Sequence, residues 1–560
     1  MSIGDIVTRV YGSFRGVDFR GEEINLIRSP DSVNMWKDYK ETESIRTRPA
    51  AELMEAFEDV VYGIFFFKSK TEDMMLVHSG TKLYKVVLDD RTILYEGLNE
   101  AVSESFIYNN EWFFKDGKHY LRYDGETIAP VVGYVPTTTI ARKPAGGGTT
   151  YEDINLLTGW RKNSFLADGE STEYRLDAIH IDNEPVIVKV NDKVVTNYEV
   201  NYDKGFIIFD AAPEAPLTDG QDNVVIEFRK NVEGYPERIS GCTLLQVFDN
   251  RVFFSGNKDY PNTVWHCSLN DPAYCSDLDY YNEGMDTAAV KGLVAGNNAL
   301  WVFREPSQTN TTVFYHSPTI DSDYGKIYPS QHSSISTGCI GKAVNFNDDI
   351  VFFSDRGMEG ISGDITTEQV VAHRSTLVDR KLIAEADYAD MVLAEWEGYL
   401  FVFVGDKAYL ADSRATFTNE NHYEYEWFYW DMGKRVTCAK VDRGNLYIGT
   451  EDGVYTLTDL ESDVESYWVT PKDKFKHPQY QKTSNKRGCV AEATGEVSVF
   501  VKTDKTEFEH IGTYTNIKDY FVSRIKRKKF KDIQLKFYTE KRFSLETVTL
   551  ECFIGGYIKR

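Results

Sequence analysis

A strand–turn–strand unit recurs along this chain, and its spacing constrains the fold more than any other feature. Three to five strand-forming residues run into a Gly, Asp-Gly or Pro turn, with turns at positions 80, 117, 256, 306, 357, 405 and 453. Such runs are typical of β-hairpins. The turns are separated by 37, 139, 50, 51, 48 and 48 residues. Because a period near 48 is typical of four-stranded propeller blades, we predict an all-β chain with a β-propeller of about seven blades.

The single long interval predicts a domain inserted between the second and third blades. The run 145–148, Ala-Gly-Gly-Gly, has the composition of a flexible hinge, and short alternating segments separated by Asp, Asn and Gly turns follow from 174 to 228. This pattern indicates a small β-sandwich. The predicted organisation is an extended N-terminal segment (1–50), propeller (51–145), inserted β-sandwich (146–232), propeller (233–465) and C-terminal β-domain (466–560).

Charge is divided unevenly between these parts. The chain has a net charge of -24, yet residues 471–560 hold 20 Lys and Arg against 11 Asp and Glu, or +9, which leaves -33 for residues 1–470. A chain with this net negative charge is not expected to bind nucleic acid or anionic membranes over its whole surface. The densest basic run consists of Arg524, Lys526, Arg527, Lys528, Lys529 and Lys531. We predict that this run docks on an acidic surface of a neighbouring subunit or ring; a solvated strand face and direct DNA contact are the alternatives.

Sequence signatures of catalysis are missing from the chain. It has no H-E-x-x-H, G-x-S-x-G or G-x-x-x-x-G-K-[ST] motif, and its seven cysteines are scattered without C-x-x-C spacing. We therefore expect no catalytic residues, no cofactor and no metal ion. The longest apolar run, 60–67, is interrupted and far too short to cross a bilayer, so we expect no membrane insertion.

Four carboxylates are candidates for a sugar-cleaving site, because propeller glycosidases place paired carboxylates around the central channel. They are Asp348, Asp349, Asp355 and Glu359. The turn 354–357 is superficially similar to the S-x-D-x-G-x-x-W turn of sialidases but lacks one residue and the Trp. We interpret these residues as turn acids that cap a hairpin.

Three strings in the first fifty residues carry a resemblance to a known family. They are Gly16-Val17-Asp18, the string 27–36 with Ser29, Pro30, Asp31, Asn34 and Met35, and the string 45–49 with Arg46, Arg48 and Pro49. In this order they resemble the opening of bacteriophage virion proteins of the tail nozzle or tail stabilisation type, where similar strings precede a β-propeller. Ala50 stands where glycine would follow Pro49. Two strings of the inserted domain, 157–169 and 197–209, are similar to β-domains recurrent in phage structural proteins.

The resemblance implies a ring of identical subunits, usually six, stacked below the portal and adaptor proteins of a short-tailed phage. Such a ring binds tail fibres, belongs to the virion tail and is assembled in the host bacterial cytoplasm. Double-stranded DNA would pass through its lumen without tight binding, and the acidic first 470 residues agree, since a lysine-lined lumen would hold the duplex by counterion release. We therefore expect a structural virion protein without catalysis. The alternatives are a carbohydrate-binding or glycoside-cleaving propeller and a protein-binding scaffold propeller.

Overall fold

The computed structural model describes residues 4–21, 24–38, 43–88, 90–308, 311–322, 325–362, 370–419, 422–458, 464–526 and 528–557. Strands make up nearly all of the regular structure in these ranges. The helices are short: Tyr235–Ser240, Asp379–Leu382 and the 3-10 turn Tyr388–Asp390. The all-β prediction is confirmed. In the part of the chain described, no helix is long and apolar enough to cross a membrane.

Six four-stranded antiparallel sheets and a seventh set of four antiparallel strands, which is part of a larger sheet, form a propeller; this confirms the predicted blade number. Their strands, from first to fourth, are Val61–Lys68, Asp73–Ser79, Lys82–Val87 and Asp90–Glu96 in blade 1; Glu104–Tyr108, Glu111–Lys115, Tyr120–Tyr123 and Ile128–Pro130 in blade 2; Leu244–Phe248, Arg251–Ser255, Thr263–His266 and Tyr280–Asn282 in blade 3; Val290–Gly296, Ala299–Arg304, Val313–His316 and Ser330–His332 in blade 4; Ala343–Phe346, Asp349–Ser354, Gly357–Ser362 and Val370–His373 in blade 5; Val392–Trp396, Tyr399–Val404, Lys407–Asn419 and His422–Asp431 in blade 6; Cys438–Asp442, Asn445–Gly449, Gly453–Thr458 and Ala50–Ala56 in blade 7. A two-stranded hairpin, Thr319–Asp321 with Gly325–Ile327, extends from blade 4.

The ring closes through the N-terminal segment, which supplies the fourth strand of blade 7. Ala50–Ala56 pairs antiparallel with Gly453–Thr458, so that Ala50 lies opposite Thr458. The backbone N–H of Val61, in the first strand of blade 1, donates to the carbonyl of Thr450 in blade 7 at 3.0 Å. The first and last blades are therefore joined by hydrogen bonds between segments almost 400 residues apart.

A tight turn between the first and second strands recurs in six blades. Its two central residues have positive φ, as type I′ hairpin turns require, and they are Asn109-Asn110, Asp249-Asn250, Asn297-Asn298, Asn347-Asp348, Glu397-Gly398 and Arg443-Gly444. The turns used to predict the blades lie at the opposite end of each second strand. The chain thus carries a second periodic signal, which strengthens the blade assignment.

The inserted domain between blades 2 and 3 is a β-sandwich, as predicted. One sheet has the strand order Thr149–Thr150, Thr137–Arg142, Trp160–Phe165, Val224–Arg229, Ile187–Val190, Lys193–Val195, and the other the order Glu173–Arg175, Phe206–Phe209, Tyr198–Asn201. Alternate side chains of both sheets, including Tyr174, Ile207 and Phe228, are fully buried between them.

The inserted domain begins at Thr137 rather than at 146. The glycine run 146–148 is not a hinge: it forms the turn between the first two strands, where the N–H of Gly146 donates to the carbonyl of Lys143 at 2.8 Å. Asn155 fixes the domain to blade 3, because its amide donates to the carbonyl of Ala273 at 2.8 Å. The N–H of Leu156 also donates to the carbonyl of Cys275 at 2.8 Å.

The C-terminal domain is built on long antiparallel strands. They are Ser466–Val469, Tyr480–Thr503, Thr506–Ile517, Tyr520–Ser523, Lys529–Phe530, Ile533–Thr539 and Phe543–Tyr557. Four short N-terminal strands join this sheet: Ile6–Gly12, Ser32–Val33, Met35–Trp36 and Ile45–Thr47. Met35–Trp36 also pairs with the fourth strand of blade 6. One hydrogen-bonded sheet therefore runs from blade 6 through the N-terminal segment into the C-terminal domain.

Candidate functional site

The N-terminal residues that resemble a known family lie where the C-terminal domain meets the propeller; we call residues 16–49 the N-terminal joint. At its start the N–H of Val17 donates to the carbonyl of Trp427 in blade 6 at 2.7 Å, and the N–H of Ser29 donates to the carbonyl of Gly16 at 2.8 Å. Gly16 has φ +109, and a Cβ there would lie 1.9 Å from the Trp427 oxygen. Only glycine fits this close approach.

Ser29 and Asp31 connect the joint to the C-terminal domain. The Ser29 hydroxyl donates to the carbonyl of Val469 at 2.7 Å and accepts from the N–H of Asp31 at 3.2 Å. The Tyr467 hydroxyl donates to the Asp31 carboxylate at 3.0 Å. Pro30 separates the two contact residues, so the Ser-Pro-Asp string serves to hold the strand Ser466–Val469.

Asn34 connects three parts of the chain through one side chain. Its amide oxygen accepts from the N–H of Asp431 at 2.8 Å and from the Arg48 guanidinium at 3.0 Å. Its amide nitrogen donates to the carbonyl of Glu465 at 2.8 Å. Burial lowers the pKa of Arg48 to about 10, although the Asp431 carboxylate opposes the shift. Asn34 thereby joins blade 6, the C-terminal domain and the segment that leads into blade 7.

The remaining family-like residues also have structural contacts. Met35 is buried in the apolar cluster shared by blade 6 and the C-terminal domain, and Arg46 forms an ion pair with Asp38. The carbonyl of Pro49 accepts from the Arg48 guanidinium at 2.9 Å. All eight residues of the predicted motif therefore lie in the N-terminal joint.

The predicted basic run lies on the surface of the C-terminal domain. Arg524, Lys526, Lys529 and Lys531 are exposed, whereas Lys528 is half-buried and ion-paired with Glu509. Arg527 lies outside the described residues. Buried Ile525 and Phe530 hold the run against the core. Lys526 and Lys529 are therefore exposed next to residues that are anchored in the core.

A second basic segment lies beside this run, and sequence reasoning missed it. Lys472, Lys474 and Lys476 are exposed and alternate with buried residues, which is the signal that could have revealed them. The buried Lys482 amine links this segment to the basic run, because it donates to the carbonyls of His477 at 2.6 Å and Lys531 at 2.9 Å. We define the basic face as the exposed residues Lys472, Lys474, Lys476, Lys505, Arg524, Lys526, Lys529 and Lys531.

The propeller axis contains a cavity of about 420 Å³ lined by the first strands of five blades. Glu104, Lys342, Glu395 and Lys440 contribute charges to it. Burial raises the pKa of Glu104, and the charges of Lys342 and Lys440 oppose this shift. A cavity of this volume suits a small molecule. A sphere of this volume is only about 9 Å across. A DNA duplex does not fit in it, because the major groove alone is about 12 Å wide.

The four candidate carboxylates lie on blade 5, and Asp348 and Asp355 are too far apart to form a catalytic pair. Asp348 lies in the turn before the strand Asp349–Ser354, and Asp355 lies in the turn after it. At about 3.3 Å per residue the two turns are roughly 20 Å apart, whereas glycosidase carboxylates lie about 5 to 10 Å apart. Asp349 is buried in an ion pair with Arg374 at 2.8 Å. Asp348 and Asp355 are turn residues, as interpreted from the sequence, but that interpretation is wrong for Asp349 and Glu359, which lie within strands.

Glu359, the fourth candidate, belongs to a charged cluster between blade 5 and the helix Asp379–Leu382. The two ring nitrogens of His373 face Asp379 at 2.6 Å and Glu359 at 3.3 Å. Burial disfavours the charged ring, but the hydrogen bonds and charges of Asp379 and Glu359 outweigh burial and raise the pKa of His373 to about 10. The cluster is an ion-pair network that links these two elements.

This network predicts a specific pH dependence of stability. We expect the His373 imidazolium to contribute about 2 kcal/mol, since its side chain retains partial solvent contact. Because folding raises the pKa above the free value of about 6.5, the contribution is complete below that pH and disappears as the pH rises to about 10. The difference in free energy of unfolding between wild type and His373→Gln, measured by denaturant unfolding, should shrink as the pH rises. An equal difference at about pH 6 and about pH 10 would contradict the assignment.

The described residues contain no group of three His, Cys, Asp or Glu side chains placed to hold a metal ion. All seven cysteines are buried and free of disulfides. Burial raises the pKa of several of their thiols, to about 12 in the case of Cys242.

Comparison with known proteins adds no family assignment. No family model matches the chain, and no curated protein sequence matches it. Similar solved structures include BamB from Moraxella catarrhalis, which is 11% identical with a TM-score of 0.32, over 74% of this chain and 97% of that chain. Another is the exo-beta-1,3-galactanase of Phanerochaete chrysosporium, which is 9% identical with a TM-score of 0.22, over 55% of this chain and 94% of that chain. Likenesses at such TM-scores carry no argument about function.

Proposed function

We propose that this chain is a structural virion protein that forms the tail nozzle ring below the portal and adaptor of a short-tailed bacteriophage. One observation carries the proposal. Within the nozzle-like strings, Ser29 and Asn34 bind the C-terminal domain, and Asn34 also binds blade 6, so these strings connect the propeller to the C-terminal domain. The resemblance therefore concerns residues that this architecture requires.

The DNA path of such a ring lies between subunits. The propeller cavity of about 420 Å³ excludes a duplex, so the lumen has to be enclosed by several copies of the chain. The net charge of -33 over residues 1–470 supports a passage in which DNA moves without tight binding. The propeller and the inserted domain would supply its acidic wall.

The carbohydrate-cleaving alternative receives less support. Asp348 and Asp355 lie at opposite ends of a strand, and Asp349 is neutralised by Arg374. A screen on polysaccharides with Asp348→Asn and Asp355→Asn as controls separates the two functions. Turnover that either substitution abolishes would contradict a purely structural role.

Electron microscopy of mixtures with portal–adaptor rings tests the proposal. We expect the purified chain to add a ring to the adaptor end of portal–adaptor complexes taken from the same phage. Portal–adaptor complexes alone are the control. Complexes that never gain such a ring would contradict the proposed position in the tail. They would also show that the chain does not bind portal–adaptor rings as a scaffold.

A further inference from the structure

The inserted domain and the C-terminal domain lie on opposite sides of the propeller. The inserted domain enters between blades 2 and 3 and is fixed to blade 3. The C-terminal sheet continues from the fourth strand of blade 6. Counting around the seven-bladed ring, three blades separate them in one direction (3, 4 and 5) and three in the other (7, 1 and 2). The two domains are therefore attached at opposite points of the ring.

Two adjoining loops of the inserted domain are strongly acidic. We define the acidic tip as segments 168–173 and 210–222, which contain no Lys or Arg and seven carboxylates: Asp168, Glu170, Glu173, Asp210, Glu214, Asp219 and Asp222. The N–H of Phe209 donates to the carbonyl of Thr172 at 2.8 Å, so the two segments adjoin. Hydrogen bonds from Ser171 lower the pKa of Asp168 to about 2. The tip thus keeps a dense negative charge at neutral pH.

Each charged surface also has an exposed apolar part. Leu217 is completely exposed within the acidic tip. On the C-terminal domain Tyr520 and Val522 are exposed at 62% and 41% and alternate along the chain with buried residues, in line with Arg524 and Lys526 of the basic face. An apolar centre with a charged rim is the usual anatomy of a protein–protein interface. The two surfaces are opposite in charge, and each has exposed apolar side chains beside its charges.

We propose that the basic face of one copy binds the acidic tip of the next copy, head to tail. This inference rests on the proposed function and names the surfaces by which the ring is built. Because the two surfaces differ and lie on opposite sides of one chain, their contact is heterologous and generates a closed ring when the rotation closes. Charge complementarity also speeds the encounter and makes assembly weaken as salt is added.

Reciprocal charge reversal tests the pairing. The face variant carries Lys526→Glu, Lys529→Glu and Lys531→Glu, and the tip variant carries Glu170→Lys, Glu214→Lys and Asp219→Lys. Among the described residues, none of these side chains has a hydrogen-bond or ion-pair partner, and the hydrogen bonds of these residues involve only their backbone, so both variants should unfold at the wild-type midpoint. We expect each variant alone to self-associate at least about tenfold more weakly in sedimentation, because like charges now meet.

Mixing the two variants is the decisive step. In a one-to-one mixture that assembles in alternating order, every reversed, basic tip meets a reversed, acidic face, and every unreversed tip meets an unreversed face. Opposite charges then meet at every contact, so association should return to the wild-type level. A matched control variant, Glu58→Lys, Glu100→Lys and Glu126→Lys, changes net charge as the tip variant does but on exposed sites of blades 1 and 2, and should assemble normally.

The outcomes that overturn the pairing are distinct from failure of the proposed function. Rings that both variants form as wild type does would reject the two surfaces and leave the nozzle proposal standing. If both variants self-associate weakly and mixing does not restore association, the basic face binds something other than the tip. A face variant altered only in affinity for duplex DNA would assign the face to DNA. A wild-type chain that stays monomeric alone and with portal–adaptor rings would reject both proposals.

Discussion

Replacement of Gly16 by alanine is expected to lower the free energy of unfolding by about 4 kcal/mol. The new Cβ would lie 1.9 Å from the carbonyl oxygen of Trp427, a distance that no side chain can adopt. The segment has to move away from blade 6, which breaks the 2.7 Å hydrogen bond from Val17 to Trp427. The 2.8 Å hydrogen bond from Ser29 to Gly16 is lost with it. Each lost bond costs about 1 kcal/mol, and backbone strain adds the rest.

Gly4→Ala is the matched control for this experiment. Gly4 has φ +100, close to the +109 of Gly16, but nothing lies within 4 Å of its Cβ position. The control therefore carries the cost of the unusual backbone angle, about 1 to 2 kcal/mol, without the clash. Denaturant unfolding and limited proteolysis between the propeller and the C-terminal domain provide the measurement. Equal effects of the two substitutions would show that the contact with Trp427 does not hold the joint.

Replacement of Arg28 by methionine is expected to destabilise the protein by about 3 to 4 kcal/mol at neutral pH. Arg28 donates two hydrogen bonds of 2.7 Å to the carboxylate of Glu426 in blade 6, and both side chains are buried. Burial raises the pKa of Glu426, and the charge of Arg28 opposes that shift. Without Arg28 the carboxylate stays buried and unpaired, which is costlier than the loss of the pair itself.

The Arg28→Met effect should depend on pH in a defined direction. A buried carboxyl whose folded pKa exceeds its unfolded value penalises folding above that pKa, and the penalty is relieved as the pH falls through it. The variant should therefore recover part of its stability at about pH 5. Arg443→Met, which removes the exposed ion pair of Arg443 with Asp73, is the control and should leave the unfolding midpoint unchanged. A pH-independent loss in Arg28→Met would mean that lost packing on Phe417, rather than the unpaired charge, is responsible.

Local sequence patterns predicted the blades and the two added domains because hairpins are short-range structures. Six of the seven blades come from one continuous segment each, and their turns require particular residues, such as the Asn and Gly with positive φ. The same local reasoning failed at residues 146–148, since a glycine run has the composition of a linker and of a hairpin turn alike. Only the pairing of Thr149–Thr150 with Thr137–Arg142 distinguishes them.

Long-range pairing was beyond the reach of sequence patterns. The pairing of Ile6–Gly12 with Phe543–Tyr557 joins opposite ends of the chain. Nothing in the sequence of either strand indicates that it pairs with the other. The motif residues Asn34 and Arg48 could be singled out by resemblance, but their contacts with Asp431 and Glu465 follow only from the fold. The same holds for the basic face, whose segment from Lys472 to Lys476 lies next to Lys531 only after folding.

The mass of the native particle in solution tests the proposed function most directly. We expect sedimentation of the purified chain at low salt to give a closed oligomer of the 64.1 kDa subunit, with a hexamer implied by the resemblance to nozzle proteins. Electron microscopy of the same sample should show a ring whose lumen is wide enough for a DNA duplex. A monomer at every concentration, alone and with portal–adaptor rings, would contradict the proposal.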